Sequence, residues 1–170
     1  MKIKFATIEK IIAIFQIIWG VLLFSLYLWT ISVFIENRSF DGGFKWYLFN
    51  FHDEIILELL TISSGVLLLK NKRIGWIIAV VTICVSILEI IFALVNGCSK
   101  SHRYQEGNIY LCIFLLVVLS AFIYILYFLL SKYFLIKYKP NRNILILMIL
   151  STIVLFVDYL IIFLSHISWR

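Results

Sequence analysis

From Ile11 to Ile35 the chain runs through 25 residues without one charged side chain. At the rise of an α-helix such a run reaches about 37 Å, and about 20 helical residues already cross the roughly 30 Å of hydrocarbon in a bilayer. Four further apolar runs follow at 55–69, 74–95, 108–131 and 144–165, each bounded by charged residues. They are too long and too continuous for barrel strands, which are about ten residues long and alternate polar with apolar. The expectation is therefore an all-α, polytopic membrane helical bundle with about five transmembrane helices. The second run, about 15 residues between Glu54 and Lys70, is short for a span. It begins earlier, within "KWYLFNFHDE", or lies under thinned bilayer.

Composition agrees. The chain is 64% hydrophobic and 14% charged, against about 45–50% and about 25% in an ordinary soluble domain. With one Pro and seven Gly in 170 residues, there is little material for a linker or a second, soluble domain. The chain reads as one integral-membrane domain. The opening "MKIK" followed by an apolar stretch resembles a secretory signal. That stretch is too long and lacks a small-residue cleavage site, so it reads as an uncleaved first helix.

Lys and Arg set the orientation. Alternating spans put ten of them on the N-terminal side: Lys2, Lys4, Lys10, Lys70, Lys72, Arg73, Lys132, Lys137, Lys139 and Arg142. Five fall on the other side: Arg38, Lys45, Lys100, Arg103 and Arg170. The expected topology has the N-terminus cytoplasmic and the C-terminus outside, in the plasma (inner) membrane. The net charge of +6 then belongs to a basic cytoplasmic face and not to a nucleic-acid surface.

The connections carry their own signals. "KNKR" (70–73) reads as a tight cytoplasmic turn. "PNRN" (140–143) ends the fourth helix, and Asn141 or Asn143 is placed to cap the fifth. "SKYFLIKYK" (131–139) reads as an extension of the fourth helix along the headgroups, where Lys meets anionic lipid. The outer loop 36–52 turns at Asp41-Gly42-Gly43 and then presents Phe44, Trp46, Tyr47, Phe49 and Phe51, an interfacial anchor or a partner-docking surface.

Polar residues inside the spans are the informative ones. In the third helix Gly75, Ala79, Thr82, Ser86, Glu89, Ala93 and Asn96 recur at alternating spacings of four and three, which is one helix face. Small residues and hydroxyls on such a face suit close helix–helix packing. Weaker lines occur elsewhere. They are Ala13, Gln16, Gly20, Tyr27 and Thr30; Glu54, Glu58, Thr61 and Gly65; Tyr110, Ser120, Tyr124, Tyr127 and Ser131; and Ser151, Asp158 and Ser165. Three of these residues are acids in the outer half of their spans: Glu58, Glu89 and Asp158. An intramembrane charge costs about 2.5–3.5 kcal/mol on insertion scales, and such residues mark functional sites by default. No Lys or Arg lies at their depth. They are expected to be neutralised by protons, by a loop cation (Arg38, Lys45, Lys100 or Arg103), or by a bound partner. The hypothesis is an outward-facing ion or ligand pocket of Glu58, Glu89 and Asp158, with Thr82 and Ser86 on its wall.

The remaining chemistry is thin. His52, His102 and His166 all fall on the outer side, but there is no HExxH motif and no close His pair, so they are weak metal candidates and no metal or cofactor is expected. Cys84 is mid-span. Cys98 and Cys112 allow a bridge only if their Cα atoms approach within about 7 Å. There is no CxxC, phosphate-binding glycine loop or nucleophile elbow, which argues against an enzyme. Three functions follow in order. The first is a non-enzymatic subunit, assembly factor or immunity-type partner acting through its helices and aromatic loop, with lipid and a membrane protein or its own copy as partners. The second is a cation- or proton-linked transporter or channel using the acidic pocket. The third is a lipid-modifying enzyme with Asp158 and His166 as acid–base groups.

Overall fold

A computed structural model describes the backbone of residues 2–36, 51–99 and 105–168, and the side chains of residues 5–33, 51–95 and 110–164. The described residues form six helices: α1 (Lys2–Glu36), α2 (His52–Leu69), α3 (Arg73–Ser99), α4 (Gln105–Leu129), α5 (Lys132–Tyr138) and α6 (Arg142–Ser168). Four contain stretches long and apolar enough to cross a membrane: Phe5–Val33, Arg73–Val95, Tyr110–Leu129 and Arg142–Leu164. The described elements are all helices, and the chain is a multi-pass membrane protein. α2 has 18 residues, three more than its apolar run, and starts within the aromatic segment. Asp53, Glu54 and Glu58 keep it from reading as a span by composition alone.

The chain divides into two compact units, one made of Met1–Ala79 and Val157–Arg170, the other of Val80–Phe156. In the first, α1 and α2 form an antiparallel hairpin closed by small residues. A Cβ built on Gly20 would meet Ile62 Cγ1 at 2.7 Å and the Glu58 carbonyl oxygen at 3.1 Å. A Cβ on Gly65 would meet the Ala13 carbonyl oxygen at 2.6 Å and Ile17 Cγ1 at 2.7 Å. Only glycine permits this approach, which is how membrane helices gain packing contacts that lipid cannot supply. Tyr27 meets Phe51 at 6.3 Å between ring centroids, near the other end of the hairpin.

α2 ends in a Schellman motif, as a sharp reversal demands. Asn71 takes a left-handed conformation, φ 54°. Its N–H donates to Leu68 O at 2.8 Å, and the Lys72 N–H donates to Leu67 O at 2.9 Å. These bonds satisfy carbonyls that the helix end would orphan. Gly75 then lets α3 start against the end of α2, since a Cβ there would sit 2.6 Å from Leu67 and Leu68 backbone atoms. The tight turn expected from "KNKR" is present.

The second unit corrects two expectations. α4 does not run on through residues 131–139. Ser131 is extended (φ −63°, ψ 155°), and α5 begins after it as a separate helix of about two turns. Phe134 and Tyr138, four residues apart and stacked at 6.2 Å, are buried, while Lys132, Leu135, Ile136 and Lys137 are exposed. Burying that pair requires the chain to change direction, which a continuous helix would forbid. α3, expected to show lipid one face, buries Thr82 together with Val80, Val81, Ile83 and Val85. Every position from Ala79 to Ile83 is buried, so the covering there is not confined to the stripe of small residues, whereas Ile74, Ile91 and Val95 are exposed. The Ile144 N–H donates to Asn141 Oδ1 at 3.0 Å, so Asn141 is the residue that caps α6.

The Asp41-Gly42-Gly43 turn, Phe44, Trp46, Tyr47, Phe49, Arg38, Lys45, Lys100 and Arg103 lie outside the described residues, as does the Cys98 side chain and with it the bridge to Cys112.

Candidate functional site

The polar lines of the first two apolar runs meet each other. Ala13, Gln16 and Gly20 of α1 are buried, as are Glu58, Thr61 and Gly65 of α2. The hairpin is their interface. Gln16, 1% exposed, and Ser64 sit face to face, with Ser64 Oγ 3.0 Å from Gln16 Oε1 and donating. Thr61 O also lies 2.7 Å from that hydroxyl, so one proton is shared between two acceptors. Thr61 Oγ1 donates to Leu57 O at 2.8 Å. Gln16 Nε2 is buried with no acceptor among the described residues. Leaving a buried donor or acceptor unmade costs about 1–3 kcal/mol, which the close packing at Gly20 and Gly65 has to offset.

Gln16 against Ser64, Gly20 between Glu58 and Ile62, and Gly65 between Ala13 and Ile17 define one antiparallel register. Carried along both helices, it sets Lys10 level with Lys70, Leu22 level with Glu58, and Leu28 level with His52. α2 therefore lies alongside residues 11–28 of α1, wholly within the Phe5–Val33 apolar stretch.

The outer end of α2 holds the acids. His52 Nε2 lies 3.1 Å from Asp158 Oδ2 of α6, with the two side chains 35% and 38% exposed. His52 is thus a side-chain partner of Asp158, where the sequence alone points to the loop cations. Both residues were visible on the outer side, but nothing in their spacing joined them, because a contact between α2 and α6 has no sequence period. Next to His52, Asp53 is 8% exposed, and neither carboxylate oxygen has a hydrogen-bond partner among the described residues. The line drawn from the sequence put Glu54 on the buried face. The structure buries Asp53, at the head of Leu57, Thr61, Ser64 and Leu68. Glu58 is 5% exposed, and its Oε2 likewise has no hydrogen-bond partner among the described residues.

Glu58 and Asp158 belong to the first unit but not to one level. Asp158 meets His52 in the first turn of α2, and Glu58 follows six residues later, about 9 Å along the axis. Glu89 belongs to the second unit, on α3 with buried Thr82 and half-buried Ser86. Neither unit by itself contains all three acids of the proposed pocket. His102 and His166 lie outside the described side chains. Among the described residues no group of three or more His, Cys, Asp and Glu is placed to hold a metal ion.

The polar line of α4 runs the other way. Tyr110, Ser120, Tyr124 and Tyr127 are exposed, while Phe122 and Leu129 are buried. Ser120 Oγ donates to Leu116 O at 2.8 Å, within its own helix. No protein-family model, curated protein or solved structure matches this chain.

Proposed function

We propose that the chain is a five-span protein of the plasma membrane, with its N-terminus cytoplasmic and its C-terminus outside, acting as a non-enzymatic subunit, assembly factor or immunity-type partner of another membrane protein. The fifth span is α2. Its 18 residues reach about 27 Å, and the register with α1 keeps it inside the apolar stretch of its neighbour. The same register brings Lys10 level with Lys70, next to Lys72 and Arg73, which supports one basic, cytoplasmic end. Compartment-specific reporters on the two termini test this, and a pair reporting from one side removes a span.

The observation that carries the partner reading is α4. Its aromatic and hydroxyl line Tyr110, Ser120, Tyr124, Tyr127 is exposed, as are most apolar positions of the same helix, Leu111, Phe114 and Val117 among them. Tyrosine at both ends suits the membrane interfaces, but a line continuing through Ser120 suits a second helix laid against it. Photo-crosslinkers at Ser120 and Tyr124 in native membranes should trap one discrete protein. Lipid adducts alone at both positions would refute the reading.

The second reading, proton- or cation-linked transport, draws on Asp53 and Glu58, two carboxylates buried without hydrogen-bond partners for the oxygens named above. Flux in proteoliposomes that survives Glu58→Gln and Glu89→Gln together would exclude it.

A further inference from the structure

Glu58 sits deeper than its place in the sequence suggests. The middle of the Phe5–Val33 apolar stretch is Trp19, and Gly20 packs against the Glu58 backbone. The register sets the Glu58 side chain level with Leu22, about 5 Å from that middle at helical rise. The groups around it are accounted for. From Ile18 to Leu26 α1 brings apolar side chains, the Trp19 indole, stacked on Phe15 at 5.9 Å, and Ser25, whose Oγ already donates to Val21 O at 2.7 Å. On α2 the nearby hydroxyl, Thr61, is committed to Leu57 O. The ionisable groups of α2 on the outer side are Glu54, one turn away, then Asp53 and His52. α6 brings Asp158 to His52 and Tyr159 beside it. The cations of this unit whose side chains are described, Lys10, Lys70, Lys72 and Arg73, lie at the far end of the hairpin, three or more turns from Glu58. Among the described residues an ionised carboxylate in that position has neither cation nor donor on its Oε2, the arrangement a bilayer interior tolerates least.

We propose that Glu58 is a proton-binding site, held as a neutral carboxylic acid near the middle of the membrane inside the α1–α2 hairpin. The ligand is the proton and not a metal cation, because a hard cation requires several converging oxygen ligands and the described residues bring no such group together. This names the ion of the transport reading and rests on the five-span topology for its depth.

Infrared difference spectroscopy of the purified full chain in lipid bilayers, wild type minus Glu58→Gln, tests it at neutral pH. The expected result is loss of a carbonyl band of a neutral carboxylic acid, shifted in heavy water, with the ionised carboxylate bands unchanged. Loss of an ionised carboxylate band overturns the proposal. Glu58→Asp, which keeps an acid at the site, is the second variant in case glutamine does not fold. In chains carrying isotope-labelled glutamate, the neutral-acid band should lose its isotope shift in Glu58→Asp. A band that keeps the shift belongs to another glutamate and overturns the assignment. The terminal reporters separate the two levels of the argument. Termini on opposite sides with an ionised Glu58 sink the proton site alone, whereas termini on one side remove the topology and the depth drawn from it.

Discussion

Gly65→Ala is the sharpest test of the hairpin. A methyl group there would lie 2.6 Å from the Ala13 carbonyl oxygen and 2.7 Å from Ile17 Cγ1. Ordinary contact begins at 3.4 Å, so α1 and α2 must separate by 0.8 Å at this point. The obstruction is partly backbone, which cannot rotate away. Overpacking of this kind costs about 1–3 kcal/mol. The Gln16–Ser64 hydrogen bond, 3.0 Å long and beside the contact, would be stretched past hydrogen-bonding range by the same separation, a loss of about 0.6 kcal/mol on the membrane average. Against this, alanine is better than glycine in a helix interior by about 0.5–1 kcal/mol. The net expectation is destabilisation of about 1–3 kcal/mol, or roughly five- to 140-fold in the folding equilibrium at about 1.4 kcal/mol per factor of ten. Reversible denaturation in detergent reads this, with Ser63→Ala on the exposed face of α2 as a control expected within about 0.5 kcal/mol of wild type. A Gly65→Ala chain as stable as wild type would refute the close approach and, with it, the register that gives Glu58 its depth.

Three further outcomes follow from local geometry and the same denaturation assay. Asn71→Val should lose about 1–2 kcal/mol more than Asn71→Gly, because φ 54° admits glycine and penalises a branched side chain. Asn141→Ala should cost about 1 kcal/mol through loss of the bond to the Ile144 N–H, whereas Asn143→Ala should be close to neutral. A double-mutant cycle on His52→Ala and Asp158→Asn should give a coupling of at most about 1 kcal/mol, falling with added salt, since both side chains are more than a third exposed on rounding and screened by solvent. A much larger, salt-independent coupling would mean the pair is sealed from water.

The membrane class, the helical secondary structure and the approximate places of the long helices were all legible in the chain. They depend on local quantities: the length of an uncharged run, the period of polar residues, and the residue types in a turn. For the same reason Ala13, Gln16, Gly20, Thr61 and Gly65 could be assigned to packing faces, and Asn141 to a cap. Each of those properties is a function of neighbours within a few residues. What no local rule carries is which face meets which, and at what register. The sequence placed Glu58 in the outer half of its span because its run appeared to begin at Ile55. The structure starts α2 at His52 and locks it to α1 through Gly20, Gly65 and the Gln16–Ser64 pair, which moves Glu58 toward the middle of its neighbour's span. It likewise chose Asp53 over Glu54 for burial, gave Asp158 a histidine partner from another helix, broke the chain at Ser131, and turned the α4 line outward. Periodicity names a helix's polar face without saying whether protein or solvent lies opposite, since that is settled by contacts between residues far apart in the chain.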